Sequence, residues 1–288
     1  MPSIVKLILS VIGASFLAIS CERVINVDIK DAPLQYVVEG VITDDSVCRV
    51  RLSRTSNFYD SVDLEGVSDA RVTITEDGRS PVVLMPTSTH GIYRAQLAGQ
   101  PGHTYHLRIE YPARGAEADG VKVFTATSTM PRKVGLDSLY VTRRVFLGQT
   151  RNIATLRFTD PAGLGNAYRF IQYVDGQAET TVFVAKDDLI DGRTVTDELL
   201  IFNDEYTLRK CDQLRVEMQC IDQPNYLFWY SLSQGSLGSS QSASPGNPVS
   251  NIKGGALGYF SAHTVSALNI AVFPDSTCSY PAGSSSSL

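Results

Sequence analysis

The segment DQLRVEMQCID, residues 212–222, alternates apolar and polar residues, and stretches like it recur along most of the chain. Successive side chains of an extended strand point to opposite faces, so this pattern buries one face and leaves the other polar. A helix would scatter the same residues around its axis. The chain is therefore constrained to an all-β fold. YVVEGVITDD (36–45), CRVRLSRT (48–55), DARVTITEDGRS (69–80), HGIYRAQLAGQPGHTYHLRIEYP (90–112) and VKVFTATSTMP (121–131) read as strands. Asp77-Gly78 and Gln100-Pro101-Gly102 supply the turns between them. About seven short strands in about a hundred residues is the pattern of a Greek-key sandwich. Ala70, Val72, Ile74, Gly91, Tyr93, Pro101, Gly102, Tyr105, Leu107 and Ile109 stand in an order that resembles Ig-like or transthyretin-like modules.

A boundary near Met130-Pro131-Arg132 separates this sandwich, 36–130, from a second β-rich domain, 131–282. In the second domain 137–146, 153–160, 167–176, 197–204, 212–222 and 255–274 read as strands, and 179–192 as a strand running into an acidic loop. One short helix is predicted over 222–235, with Asp222 as its cap, Pro224 in its first turn and Gly235 at its end. The tail 283–288 is polar and expected to be disordered.

The chain opens on MPSIVKLILSVIGASFLAIS before Cys21. Its apolar run, Leu7 to Ile19, is 13 residues, about 20 Å as a helix. That suits the core of an export signal and falls short of the roughly 20 residues a bilayer span needs. Ala18-Ile19-Ser20-Cys21 resembles the lipobox of bacterial lipoproteins, with Ala18 where leucine is usual. The resemblance implies a signal peptide over 1–20, acylation of Cys21, and a tether over 21–35. Two or three acyl chains would hold the protein to a membrane far more firmly than one.

Without residues 1–20, 25 basic groups less Lys6 face 30 acidic ones, a net charge of −6. This balance disfavours nucleic acid, which needs a basic surface. It also disfavours electrostatic docking on anionic lipid heads. Lipidation of Cys21 leaves Cys48, Cys211, Cys220 and Cys278. An even remainder in an exported chain suits two disulfides, and three connectivities are open. No Cys-x-x-Cys pair points to zinc.

Candidate chemistry is sparse. With Asp187 as position 1, Asp191 is position 5, Gly192 is 6 and Glu198 is 12, much as in an EF-hand calcium loop. Leu189 breaks the pattern at position 3 and the flanks favour strands, so an acidic hairpin loop is the competing reading. His103 and His106 lie three apart in a strand region, on opposite faces, which is wrong for one metal. There is no Gly-x-Ser-x-Gly elbow and no phosphate loop. No catalytic residue and no cofactor are expected. In the aromatic run Tyr226, Phe228, Trp229, Tyr230 the side chains leave a helix about 100° apart. Some must pack on the sheet, and Trp229 or Tyr230 is the candidate to face a partner.

NPVSNIKGGALGYFSAHTV (247–265) is the most distinctive segment. Its glycines suggest a bend with close backbone approach, entering a strand. With YVVEGVITDD, the acidic loop and QCID before the helix, it resembles the domain-of-unknown-function 4249 family of bacterial outer-membrane lipoproteins. The resemblance runs from Cys21 to about Val272 and carries Asn251, Gly254, Gly255, Gly258, Tyr259 and Phe260 as its signature positions. It implies an outer-membrane lipoprotein that is a partner of a TonB-dependent transporter; the anchor, the sandwich pattern and the absence of catalytic motifs add a binding role, for a small ligand or the transporter, with no bond broken. A structural or adhesive surface lipoprotein and a surface hydrolase are the alternatives.

Overall fold

Strand β1 (Tyr36–Thr43) sets the pattern for the molecule: Tyr36, Val38, Gly40 and Ile42 are buried, and the residues between them are half-buried. The computed structural model describes residues 34–45, 48–56, 65–113, 120–146, 148–199, 207–236, 246–274 and 278. Cys21, residues 1–33 and the tail 283–288 lie outside them. The remaining elements are β2 (Cys48–Arg54), β3 (Arg71–Glu76), β4 (Val82–Pro86), β5 (Ile92–Ala95), β6 (Thr104–Ala113), β7 (Gly120–Thr129), β8 (Leu136–Phe146), β9 (Gln149–Thr159), β10 (Ala167–Val174), β11 (Gln177–Ala178), β12 (Phe183–Lys186), β13 (Thr194–Glu198), β14 (Gln213–Cys220), helix α1 (Gln223–Ser236) and β15 (Leu257–Ala271). The fold is all-β with a single short helix among the described residues.

Eleven strands form one hydrogen-bonded path, β11-β10-β14-β15-β1-β2-β5-β4-β3-β6-β7, with β12 also on β10. The path curls over, so that β7 reaches the segment before β15. There Thr125 and Lys253 exchange main-chain hydrogen bonds of 3.1 and 2.7 Å. The curl encloses a core of Val38, Leu52, Ile74, Tyr93, Leu107, Phe124 and their neighbours. That core takes in residues between 36 and 130 together with Ile252, Ala256, Phe260 and Ala262. The sandwich therefore borrows its closing strand from the far end of the sequence.

β15 is long enough to serve two neighbourhoods. Residues Leu257–His263 pair in parallel with Val37–Thr43 of β1. Residues Thr264–Ala271 pair antiparallel with β14. A second core lies where the separate sheet β13-β9-β8 packs on β10 and β14. Phe158 meets Tyr168 edge-on at 5.0 Å there and Phe170 at 5.9 Å. Helix α1 begins as expected: Asp222 accepts the Asn225 N–H at 3.2 Å, which caps its N-terminus. No helix of the described residues is long and apolar enough to cross a membrane.

Candidate functional site

Strand period gives β10, β14, β15 and β1 a second face, turned away from the two cores above and partly covered by a smaller cluster of Phe228, Trp229 and Tyr259. Leu214, Val216 and Met218 of β14 are buried inward, so Arg215, Glu217 and Gln219 point to the other side. The register places these residues in rows. Arg169 stands opposite Gln219, and Gln219 opposite Val265. Tyr259, Ser261 and His263 stand opposite Glu39, Val41 and Thr43. Helix α1 covers one end of this face through Phe228 and Trp229, which pack on Tyr259 with ring centres 4.8 Å apart in both cases.

What remains open is a pocket of about 400 Å³, within the size range of small-molecule sites. Arg169, Trp229 and Tyr259 form one wall, Arg215, Glu217 and Gln219 another, and Ser261 and His263 the floor, with Arg49 and Asp45 at the rim. The Arg169 guanidinium lies over the Trp229 ring, 3.5 Å from its centre. One of its N–H groups donates to Gln219 Oε1 at 3.2 Å. Its other N–H groups bond to none of the described residues. Arg215 differs, because Glu217 neutralises it at 2.5 Å. Burial pulls the Arg169 pKa below its usual value. Burial, with Arg169 nearby, pushes His263 down to about 4, so the floor is a neutral imidazole whose Nδ1 meets Ser261 Oγ at 3.0 Å.

The signature segment builds the frame beneath this pocket. The Asn251 side chain donates to the Phe260 carbonyl at 2.8 Å and accepts the Phe260 N–H at 2.9 Å. One amide thus stands in for a neighbouring strand. Asn225 of α1 also donates to that carbonyl, at 3.0 Å, and Ser128 Oγ accepts the Ala262 N–H at 2.9 Å. Ser128 in turn donates to the capping Asp222 at 2.7 Å. Gly258 has φ +98° and a Cβ there would collide with the Val38 carbonyl oxygen, so β15 can lie this close to β1 only with glycine. Gly254 is barred in the same way by the Val123 carbonyl. Gly255 also has positive φ, but space around it is open.

Three expectations need correction. First, Asp187 and Asp191 do approach one another, but the third carboxylate is Asp160 and not Glu198. One oxygen from each of Asp160, Asp187 and Asp191 lies within 4.8 Å of the others. These are the hard donors a divalent cation takes, yet each carboxylate is also a loop clasp. Asp187 accepts the Asn166 N–H at 2.7 Å, Asp191 the Gly163 N–H at 2.6 Å, and Asp160 the Tyr168 hydroxyl. Glu198 sits on β13 and pairs with Arg144 at 2.8 Å, because the chain after Gly192 continues as a strand. Second, among the described residues only Cys211 and Cys278 are joined, with Cα atoms 5.3 Å apart. Cys48 and Cys220 are free thiols buried in different cores. Third, Trp229 faces inward and is buried against Tyr259, while Tyr230 is exposed and stacks on Tyr226 at 5.6 Å.

His103 and His106 pair separately with Glu76 and Asp77. Among the pocket residues, sequence reasoning singled out Trp229 and Tyr259 and missed Arg49, Arg169, Arg215, Glu217, Gln219 and His263. The signal was present in the strands, where charged residues alternate with core residues on β10 and β14. Such an alternating charge ordinarily means solvent. Only the lateral order of four strands distant in sequence turns it into a site.

Among the curated proteins compared, none matches the chain. A family model described as "Domain of unknown function (DUF4249)" matches residues 22–268. That span contains every pocket residue and all six signature positions. The chain belongs to the DUF4249 family of domains of unknown function.

Proposed function

We propose that this is an exported, lipid-anchored outer-membrane protein that captures a small ligand in the pocket on β10, β14, β15 and β1 and presents it to a TonB-dependent transporter. The pocket carries the reading. It gathers an arginine–tryptophan pair, a tyrosine and a neutral histidine on a face that a plain β-sandwich would leave to water. These groups hold and orient, and the mechanism is capture and release with no bond broken. The lipobox-like Ala18-Ile19-Ser20-Cys21 supports the anchor, and family resemblance supports the transporter. The rigid frame of Asn251, Asn225 and Ser128 behind Phe260 keeps the pocket in shape without ligand, which lowers the ordering cost of binding.

The test is a tagged pull-down from detergent-solubilised outer membrane, with mass spectrometry of the captured proteins. A TonB-dependent transporter recovered in near-equal amount is the expected result. Recovery of no transporter overturns the uptake role.

A further inference from the structure

We propose that the pocket is selective for a small organic anion, bound by the free N–H groups of Arg169 with its body against Trp229 and Tyr259. This deepens the binding role above and rests on it. Three observations converge. The guanidinium of Arg169 is mostly sheltered, yet no carboxylate of the described residues pairs with it, and Gln219 offers only a neutral acceptor. The charged lining groups are Arg49, Arg169 and Arg215 against Asp45 and Glu217. The pocket is thus positive inside a chain that is negative overall. The arginine is also held in place: Trp229 supports one face of its plane and Gln219 one edge, so its fork is pre-set for a carboxylate or phosphate group.

Other charges sharpen the selection. Glu217 is occupied by Arg215 and by the Tyr173 hydroxyl at 3.4 Å. The Arg215–Glu217 pair therefore leaves no free cation on that wall for a second anionic head, which favours a single anionic head over a polyanion. His263 adds no charge to the floor and offers one neutral hydrogen-bonding edge. A pocket of about 400 Å³ leaves room for a ring or short chain behind the head group.

Calorimetric titration of the mature chain with benzoate, phenyl phosphate and benzamide tests this. The wild type should bind benzoate or phenyl phosphate at least tenfold more tightly than benzamide, and the better of the two names the head group. Arg169→Gln should lose that preference, a charge-assisted contact being worth about tenfold or more. Arg169→Lys, which keeps the charge but not the fork, should retain part of it. Arg49→Gln at the exposed rim gives a second reading that does not depend on a buried substitution, with a loss of about two- to fivefold expected. Arg157→Gln on β9 should change nothing. Unfolding midpoints of all variants separate loss of site from loss of fold. Benzamide binding as tightly as benzoate overturns the anion selectivity and leaves the binding role standing. Binding of none of the three probes overturns the selectivity as well, and the pull-down then decides the binding role alone. Undiminished benzoate binding by Arg169→Gln overturns the assignment of Arg169.

Discussion

The guanidinium of Arg169 and the indole of Trp229 are stacked 3.5 Å from charge centre to ring centre. Arg169 comes from β10 and Trp229 from α1, and the pair ties the helix to the sheet at the pocket wall. A cation over an indole face is favourable and gains when water is excluded. The same contact makes Trp229 a reporter, because the chain has no other tryptophan.

Emission of Trp229 should therefore change in a saturable way when phenyl phosphate is added to the wild type. In Arg169→Gln the same titration should give a flat trace. A linear, unsaturating response in both proteins would mean collisional quenching and no site.

Asn251→Ala should destabilise the protein by about 1–3 kcal/mol, since the Phe260 N–H loses its side-chain acceptor and the Phe260 carbonyl keeps only Asn225 of its two amide donors. Asn251→Asp should cost nearly as much, because a carboxylate accepts from the N–H but cannot donate to the carbonyl. Urea unfolding midpoints measure both. An unchanged midpoint in Asn251→Ala would remove the signature asparagine from the frame.

Gly258→Ala should fail to accumulate as a folded protein, as its methyl meets the Val38 carbonyl and forces β15 off β1. Gly255→Ala carries only the strain of a positive φ, about 1 kcal/mol. Expression and thermal unfolding of the two side by side give the comparison.

Thiol counting on a chain lacking residues 1–21 should find none reactive in the native state and two in denaturant. Cys48 and Cys220 are buried, and burial pushes the Cys48 thiol up to about 12. Replacing Cys211 and Cys278 by serine should lower stability by about 2–4 kcal/mol, given the 67-residue separation they close. Reduction by a mild thiol should do the same.

His263 makes stability depend on pH. Its folded pKa is about 4 against an ordinary value of 6.5, so between these values the unfolded chain binds a proton that the folded one does not. Stability contributed by the neutral imidazole is thus fully present above about pH 6.5 and falls by roughly 3 kcal/mol as the pH drops to 4. His263→Gln should flatten that part of the profile. Midpoints measured between pH 4 and 7 read the slope directly.

Most strands were legible because their burial is one-sided. DQLRVEMQC became β14 with the expected alternation, and Asp222 capped the helix as its position before Pro224 implied. The pairing of β15 with β1 was not legible, since a parallel contact across more than two hundred residues leaves no local periodicity. For the same reason Ser128, Asn225 and Asn251 could not be joined into one frame from sequence. Gly258 showed that backbone comes close, but not to which strand. The acidic loop misled by spacing: Asp187 and Asp191 matched a calcium template, while Asp160 arrives from the end of β9 through tertiary structure.

The most direct measurement is mass spectrometry of small molecules released by denaturing the protein purified from its own cells, wild type beside Arg169→Gln. One compound with a single anionic head, near one per chain, is expected from the wild type and should be lost from the variant. The same compound in equal amount from both, or a neutral compound from the wild type, would contradict this expectation.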